Sequence, residues 1–249
     1  MLVLLPPSET KRPGGDGPPL DLDALALPSL RAPREQVVAG LVALSADEQA
    51  SARVLKLSAR RLHEVADNAA LRSAPTLPAV DRYTGVLFDA LDAGTLDGPA
   101  RAWLGAHVLI HSAPFGPVGA LDGIPAYRLA ASTSVPGLPS LRRVWAEPVT
   151  TALREANPEF VLDLRSEAYA ALGPVPAGVE SAYVRVVAEG PDGAVRALNH
   201  FNKKAKGELV RVLAQAGARI RSRPDLLAWA EAAGLVLRES GVRGIELIT

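Results

Sequence analysis

The chain has 249 residues, 48% hydrophobic and 22% charged. That balance excludes a disordered or low-complexity chain and leaves room for one large or two small domains. Lys+Arg and Asp+Glu are each 27, so the formal net charge is +0, which excludes a globally basic nucleic-acid binder but not a local basic patch. There is no cysteine, which removes disulfides, thiolate metal sites, iron–sulfur clusters and cysteine nucleophiles together; 4% aromatic content argues against a broad base-stacking platform.

The first apolar run, residues 1–5, is stopped by Pro6-Pro7 and reads as a buried strand. It is too short for an export signal, and a membrane span needs about 20 apolar residues, so a cytoplasmic location and no membrane partner are expected. Residues 13–33 are rich in Pro and Gly and read as a long irregular connection. Residues 34–72 have helical spacing (Val37, Leu41, Leu44), with Ser45 and Glu48 as a capping box and Ser58 as a second start. Residues 73–80 form a Pro-broken link. Residues 83–93 look helical, with Thr84 at the N-cap.

Residues 107–111 read as a strand, and the Gly/Pro-rich 112–125 as a loop. A helix over 141–156 ends at Asn157-Pro158, and a strand follows over 160–164. Two alternating strands, 183–188 and 194–201, are joined by a turn at 190–193. Helices over 204–216 and 224–233 complete the pattern. No repeat and no sharp boundary emerges, so residues 1–249 read as a single α/β domain, a mixed one of unusual connectivity.

The zero net charge hides two poles. Residues 13–50 hold six acidic and two basic residues, whereas 199–223 hold seven basic residues and one acid, Glu208. Only five lysines occur in the chain, and Lys203, Lys204 and Lys206 are three of them. Where arginine is otherwise preferred, lysine offers a compact point charge. Asn202-Lys203-Lys204-Ala205-Lys206-Gly207, placed where a strand turns into a helix, would present free N–H groups and a positive dipole end to an anion. A solvated helix face explains the same run equally well.

Ser8 and Lys11 match Ser-x-x-Lys, but the flanking prolines favour a polar strand end pointing into a cleft over an activated serine. Asp163, Arg165, Ser166, Glu167 and Tyr169 follow an apolar strand, where α/β sheets carry binding groups. Asp163 and Arg165 could equally pair with each other or cap the next helix. His107 and His111, four apart on one strand, would lie about 13 Å apart, too far for one metal. No metal site and no cofactor are expected; the usual nucleotide-binding fingerprints are missing.

In order, residues 2–11 (LVLLPPSETK), Tyr83-Thr84-Gly85-Val86, Ile124-Pro125-Ala126-Tyr127-Arg128-Leu129, Trp145, the run 163–169 (DLRSEAY) and the run 202–207 (NKKAKG) resemble the YaaA peroxide-stress protein family of bacteria over nearly the whole chain. The resemblance implies a single α/β domain with a positively charged cleft, affinity for duplex and branched DNA, and a role in limiting hydrogen peroxide damage linked to intracellular iron. The family-type cleft positions are Ser8, Lys11, Tyr83, Thr84, Tyr127, Arg128, Asp163, Arg165, Ser166, Glu167, Tyr169, Asn202, Lys203, Lys204 and Lys206. Pro114-Phe115-Gly116 departs from the family pattern, which puts a cleft role for Phe115 in doubt.

Two functions compete. One is a stress protein that binds DNA in a sequence-tolerant way through the 199–223 segment, joined by Arg53, Lys56, Arg60 and Arg61, with Lys11, Arg128 and Arg165 as further anion-binding groups. The other is an enzyme acting on a small phosphorylated or nucleotide-like substrate, because buried Asp163, Glu167 and Tyr169 are not needed by a plain DNA-binding surface.

Overall fold

Runs of apolar residues too short for helices build the centre of the molecule. The computed structural model describes residues 1–189, 195–197 and 199–249. Strand β1 (Leu2–Leu5) is followed by β2 (Gly17–Pro19) and three helices, α1 (Arg31–Leu44), α2 (Glu48–Leu55) and α3 (His63–Ala69). Strand β3 (Pro75–Pro78) leads into α4 (Ala79–Arg82), α5 (Val86–Leu91) and α6 (Gly98–His107). Then come β4 (Val108–Ser112), β5 (Gly116–Gly119), β6 (Gly123–Ile124), α7 (Leu141–Glu155), β7 (Val161–Asp163) and α8 (Glu167–Ala170). The chain ends with β8 (Ser181–Glu189), β9 (Val195–Ala197), α9 (Asn199–Gln215), α10 (Arg223–Ala232) and the hairpin β10 (Val236–Ser240) and β11 (Gly244–Ile248).

The main sheet runs β10-β11-β8-β7-β1-β4-β5, with β9 added on β8. Strands β11, β8, β7, β1 and β4 are mutually parallel, and β5 and β10 close the edges antiparallel. Strands β1, β4 and β7 are buried almost throughout, as parallel strands covered on both faces require. A small second sheet, β2-β3-β6, lies apart from it. One contiguous hydrophobic cluster joins these elements, with Leu4, Leu5, Leu41, Trp145, Phe160 and Leu213 inside it. The architecture is a mixed α/β fold.

Several local expectations are corrected. The helical stretch 34–72 is three helices. Ser45 does not open α2: its hydroxyl donates to the Leu41 carbonyl and closes α1, and Asp47 caps α2 by accepting from the Ala50 N–H at 2.9 Å. Thr84 is not the N-cap of α5. Gly85 is, at φ 95°, and its N–H donates to Asp89 Oδ1, while Thr84 is tied through its backbone to Thr10. His107 ends α6 instead of starting a strand, with Nδ1 against the Met1 carbonyl.

Residues 112–125 are not all loop; they carry β5 and β6. Strand β5 tolerates its glycines and proline because it lies at an edge and pairs only with β4. Gly116 at φ 64° sits under the Trp145 ring, where a Cβ would come within 2.9 Å of it. The strand expected over 194–201 is only β9, and α9 begins at Asn199. The turn expected at 190–193 lies outside the described residues, although β8 and β9 do pair antiparallel. The C-terminal hairpin had no counterpart in the sequence reading. Its strand β10 is largely exposed and so lacks an apolar run.

Helix α9 packs on α5, and Gly207 is the point of closest approach: a Cβ there would lie 2.1 Å from the Leu87 carbonyl oxygen. Backbone cannot yield as a side chain can, so Gly207→Ala must push the two helices apart. The expected loss is about 1–3 kcal/mol, read as a lower midpoint in urea unfolding.

Candidate functional site at the strand ends

Because β1, β4, β7 and β8 run parallel, their carboxyl ends meet at one edge of the sheet, where α/β proteins place binding groups. Past β1 the chain delivers Ser8, Glu9 and Lys11. The end of β4 carries His111 and Ser112, and the end of β7 carries Asp163 and Arg165. Tyr183 on β8 is the register partner of Asp163. Strand β11 occupies one side of β8, so β9 takes the side that β7 vacates after Asp163. Helix α9, which follows β9, thereby brings Lys206 to Asp163 and to within 5.9 Å of the Tyr183 ring centroid.

Lys11 is held from both sides. Its backbone bridges that of Tyr83, and neighbouring bonds run from Arg12 to Arg82 and from Thr84 to Thr10. Its Nζ donates to the Ser8 and Glu9 carbonyls at 3.2 and 3.1 Å and lies 4.0 Å from the Tyr127 ring centroid and 5.7 Å from that of Tyr83. The two phenols are buried and hydrogen-bonded to each other at 2.8 Å, with Ser112 beside both. Burial raises both phenols well above the usual tyrosine range, so they stay protonated. Phe115 packs edge-on against Tyr127 and is fully buried, a wall rather than a contact surface.

Desolvation brings Lys11 down to about 7, and the charge of Arg128 adds to that effect. Glu9 and Glu64, the carboxylates nearest this lysine, are engaged elsewhere. Arg128 bonds Glu9 at 3.1 Å and stands 3.7 Å from Glu64, and Arg61 bonds Glu64 at 2.8 Å. Asn68 clamps the Arg128 backbone with both ends of its amide, at 2.9 and 2.7 Å, which fixes the Tyr127-Arg128 segment.

The second half of the site is the Asp163–Arg165 pair. Arg165 Nε and Nη2 reach the two carboxylate oxygens at 2.8 and 2.7 Å, and the Arg165 backbone N–H donates to Asp163 as well. The pairing reading of these two residues is therefore the structural one. Arg165 Nη1 donates to His111 Nδ1 at 3.0 Å. A guanidinium has no acceptor, so Nδ1 must accept and the ring proton sits on Nε2. Burial, then Arg165, pushes His111 well below the usual histidine range, so the ring is neutral. Its Nε2 has no hydrogen-bond partner among the described residues. Tyr169 stands 6.0 Å from the His111 ring and links this half to Tyr127.

The lysine run splits. Lys203 and Lys204 are exposed, Lys204 pairing with Glu208 at 3.3 Å, whereas Lys206 is buried and desolvation lowers it to about 8 against the opposing pull of Asp163. All three lie within α9 instead of ahead of it, so the free N–H groups at its start are not theirs. Asn202 Oδ1 is buried without a partner among the described residues. Ser166 and Glu167 are exposed, Glu167 facing Arg185 at 3.7 Å, so the expectation of a buried Glu167 is corrected. Of the other basic residues in 199–223, Arg211 holds the Leu91 and Asp92 carbonyls, and Arg221 and Arg223 pair with Glu159 and Glu239.

Sequence reasoning missed His111, Glu9, Glu64 and Asn68. Only His111 carried a usable signal, a polar residue at the carboxyl end of an apolar run. Among the described residues no group of three or more His, Cys, Asp or Glu side chains could hold a metal ion, and no helix is long and apolar enough to cross a membrane.

The fold is thus a parallel-centred α/β sheet that gathers tyrosines, lysines and a buried Asp–Arg pair at its strand ends. The chain belongs to the peroxide stress protein YaaA family, whose profile matches residues 1–240. A UPF0246 protein of Corynebacterium glutamicum is 43% identical over 244 residues, 96% of each chain. One from Streptomyces coelicolor is 44% identical over 223 residues, covering 87% of this chain and 84% of its own. A Lactobacillus delbrueckii relative is 32% identical over 146 residues, 57% of this chain and 59% of its own.

The lowered Lys11 has a pH signature. An unfolded lysine keeps its proton up to its ordinary value of 10.5, whereas the folded one releases it near 7. Between those values the unfolded state binds the extra proton, so this residue's contribution to stability improves as pH rises. Comparing wild type with Lys11→Met by urea unfolding at pH 7.0, 8.5 and 9.5, the difference should shift progressively in favour of the wild type.

Proposed function

We propose that the protein serves the peroxide stress response by binding DNA in a sequence-tolerant way at a positively charged cleft along the strand ends. The observation that carries this reading is the division of the lysines on α9. Lys203 and Lys204 face solvent, where they can meet successive phosphates, while Lys206 points inward to Asp163 and Tyr183. Arg185, exposed beside Tyr183, extends the outer row. Backbone phosphates need only mobile point charges, and no element among the described residues is shaped to read base edges. In a gel shift titrated with salt, Lys203→Ala with Lys204→Ala should weaken binding and flatten the log–log salt slope by about 0.9 per lysine removed. An unchanged affinity and slope would sink the reading.

A second reading is favoured by the unpartnered Asn202 Oδ1 one turn before buried Lys206 on α9. An acceptor and a cation on one helix face suit a small nucleotide-like or phosphorylated substrate, and the protein would then be an enzyme. Thermal shift with millimolar nucleotides and sugar phosphates checks this. A ligand at a hundred times its Kd stabilises by about 2.7 kcal/mol, and Lys206→Met should abolish the shift.

A further inference from the structure

We propose that Lys11 is a nucleophilic amine that condenses with a carbonyl carbon, so that the protein takes a small aldehyde or ketone as a covalently held ligand. The inference uses neither the outer lysines of α9 nor nucleic acid, and it stands apart from the readings above.

The first observation is that Lys11 is positioned yet makes no ion pair among the described residues, the charges of Glu64 and Glu9 reaching it only from farther off. Glu9 and Glu64 are turned to Arg128 and Arg61, and among the described residues Nζ donates to two neutral carbonyls, of Ser8 and Glu9. The second is the wall it faces. Its Nζ lies 4.0 Å from the Tyr127 ring centroid and 5.7 Å from that of Tyr83, and the two hydroxyls form a hydrogen-bonded pair. The third is rigidity: the 10–12 segment is stapled to 82–84 by backbone bonds, so the amine is presented from a fixed frame. A lysine serving only a structural ion pair would be arranged the other way, against a carboxylate. Desolvation that lowers the amine toward neutral pH agrees with this arrangement.

The step balances without any outside oxidant or reductant. The neutral amine attacks the carbonyl carbon, forming the C–N bond while the carbonyl oxygen takes up a proton and the nitrogen loses one. The resulting carbinolamine expels its hydroxyl, which takes up a proton and leaves as water, while the nitrogen gives up its remaining proton, leaving the imine. The phenol pair, protonated across the working pH range, is the proton donor for both protonations of that oxygen and is restored by the two protons the nitrogen gives up.

The chain's five lysines make the test internal to one protein. Native protein is incubated with glyceraldehyde and sodium cyanoborohydride at pH 7.0, and adducts are located by peptide mass mapping. At that pH an ordinary lysine amine is neutral in about one molecule in 2,500. Lys11 should therefore be labelled at least about tenfold faster than the exposed Lys56, Lys203 and Lys204. Its rate should level off above about pH 7.5, while theirs keep rising. Tyr127→Phe, which keeps the ring face, should slow the Lys11 adduct severalfold with the circular dichroism spectrum unchanged. Labelling of Lys11 no faster than the exposed lysines, or a Lys11 rate that climbs tenfold per pH unit to pH 9, would overturn the proposal.

Discussion

The half of the strand-end site around His111, Tyr183 and Lys206 is organised by the buried ion pair between Asp163 and Arg165. Both side chains are out of solvent, and desolvating two charges costs several kcal/mol per ion unless geometry and further hydrogen bonds compensate. Here they do. The carboxylate accepts two guanidinium bonds and one backbone N–H, and the remaining guanidinium arm is taken up by His111. Removing either partner would strand a buried charge, which typically costs about 3–5 kcal/mol. The pair also sets chemistry around it. It dictates the tautomer of His111, and Asp163 supplies the one charge that partly restores the proton affinity of Lys206.

The same logic explains how Pro/Gly-rich connections hold still. Arg34 and Arg82 are fully buried, and neither makes an ion pair among the described residues. Arg34 donates to the carbonyls of Phe115, Pro117, Ala26 and Leu27, and Arg82 to those of Ile124, Arg12 and Pro75. Segments that cannot satisfy their carbonyls in a ladder satisfy them with a guanidinium fork. This keeps Phe115 behind Tyr127 and keeps the chain after Lys11 joined to the start of α5. Arginine's dominance over lysine in the composition is in part a structural demand of these loops.

Much of this was legible in the sequence, for specific reasons. The strands β1, β4 and β7 announced themselves as short apolar runs bounded by Pro, Gly or polar residues, and the mixed α/β class followed from their alternation with helical spacing. Strands β5, β6 and the C-terminal hairpin did not. Strands β6 and β11 are held by β3 and β8, distant in the chain, β10 is largely exposed, and Gly and Pro in the edge strand β5 look like loop. Most residues of the candidate site could be named because they cluster just after strands. Their division into buried and exposed could not: nothing in the run of Lys203, Lys204 and Lys206 says which one turns inward until α9 is known to start at Asn199 and to lie against α5 at Gly207. The role of Glu9 was hidden for a similar reason, since its partner Arg128 is 119 residues away.

The net charge of zero, which first spoke against an anion-binding protein, acquires a different meaning once arginine and lysine are separated. Arginine keeps its charge at any depth, so burying it demands acceptors, and the structure supplies carbonyls or carboxylates to Arg34, Arg82, Arg128 and Arg165. Lysine can shed its proton instead, and the two lysines that are drawn inward, Lys11 and Lys206, are the ones whose proton affinity falls. The fold therefore assigns fixed positive charge to architecture and adjustable charge to the strand-end site. A site whose amines sit near neutrality answers to small changes in its surroundings: an arriving anion would restore their protons, and an arriving carbonyl would find them free. Composition alone records neither property, because both arise from which lysines the packing draws out of water.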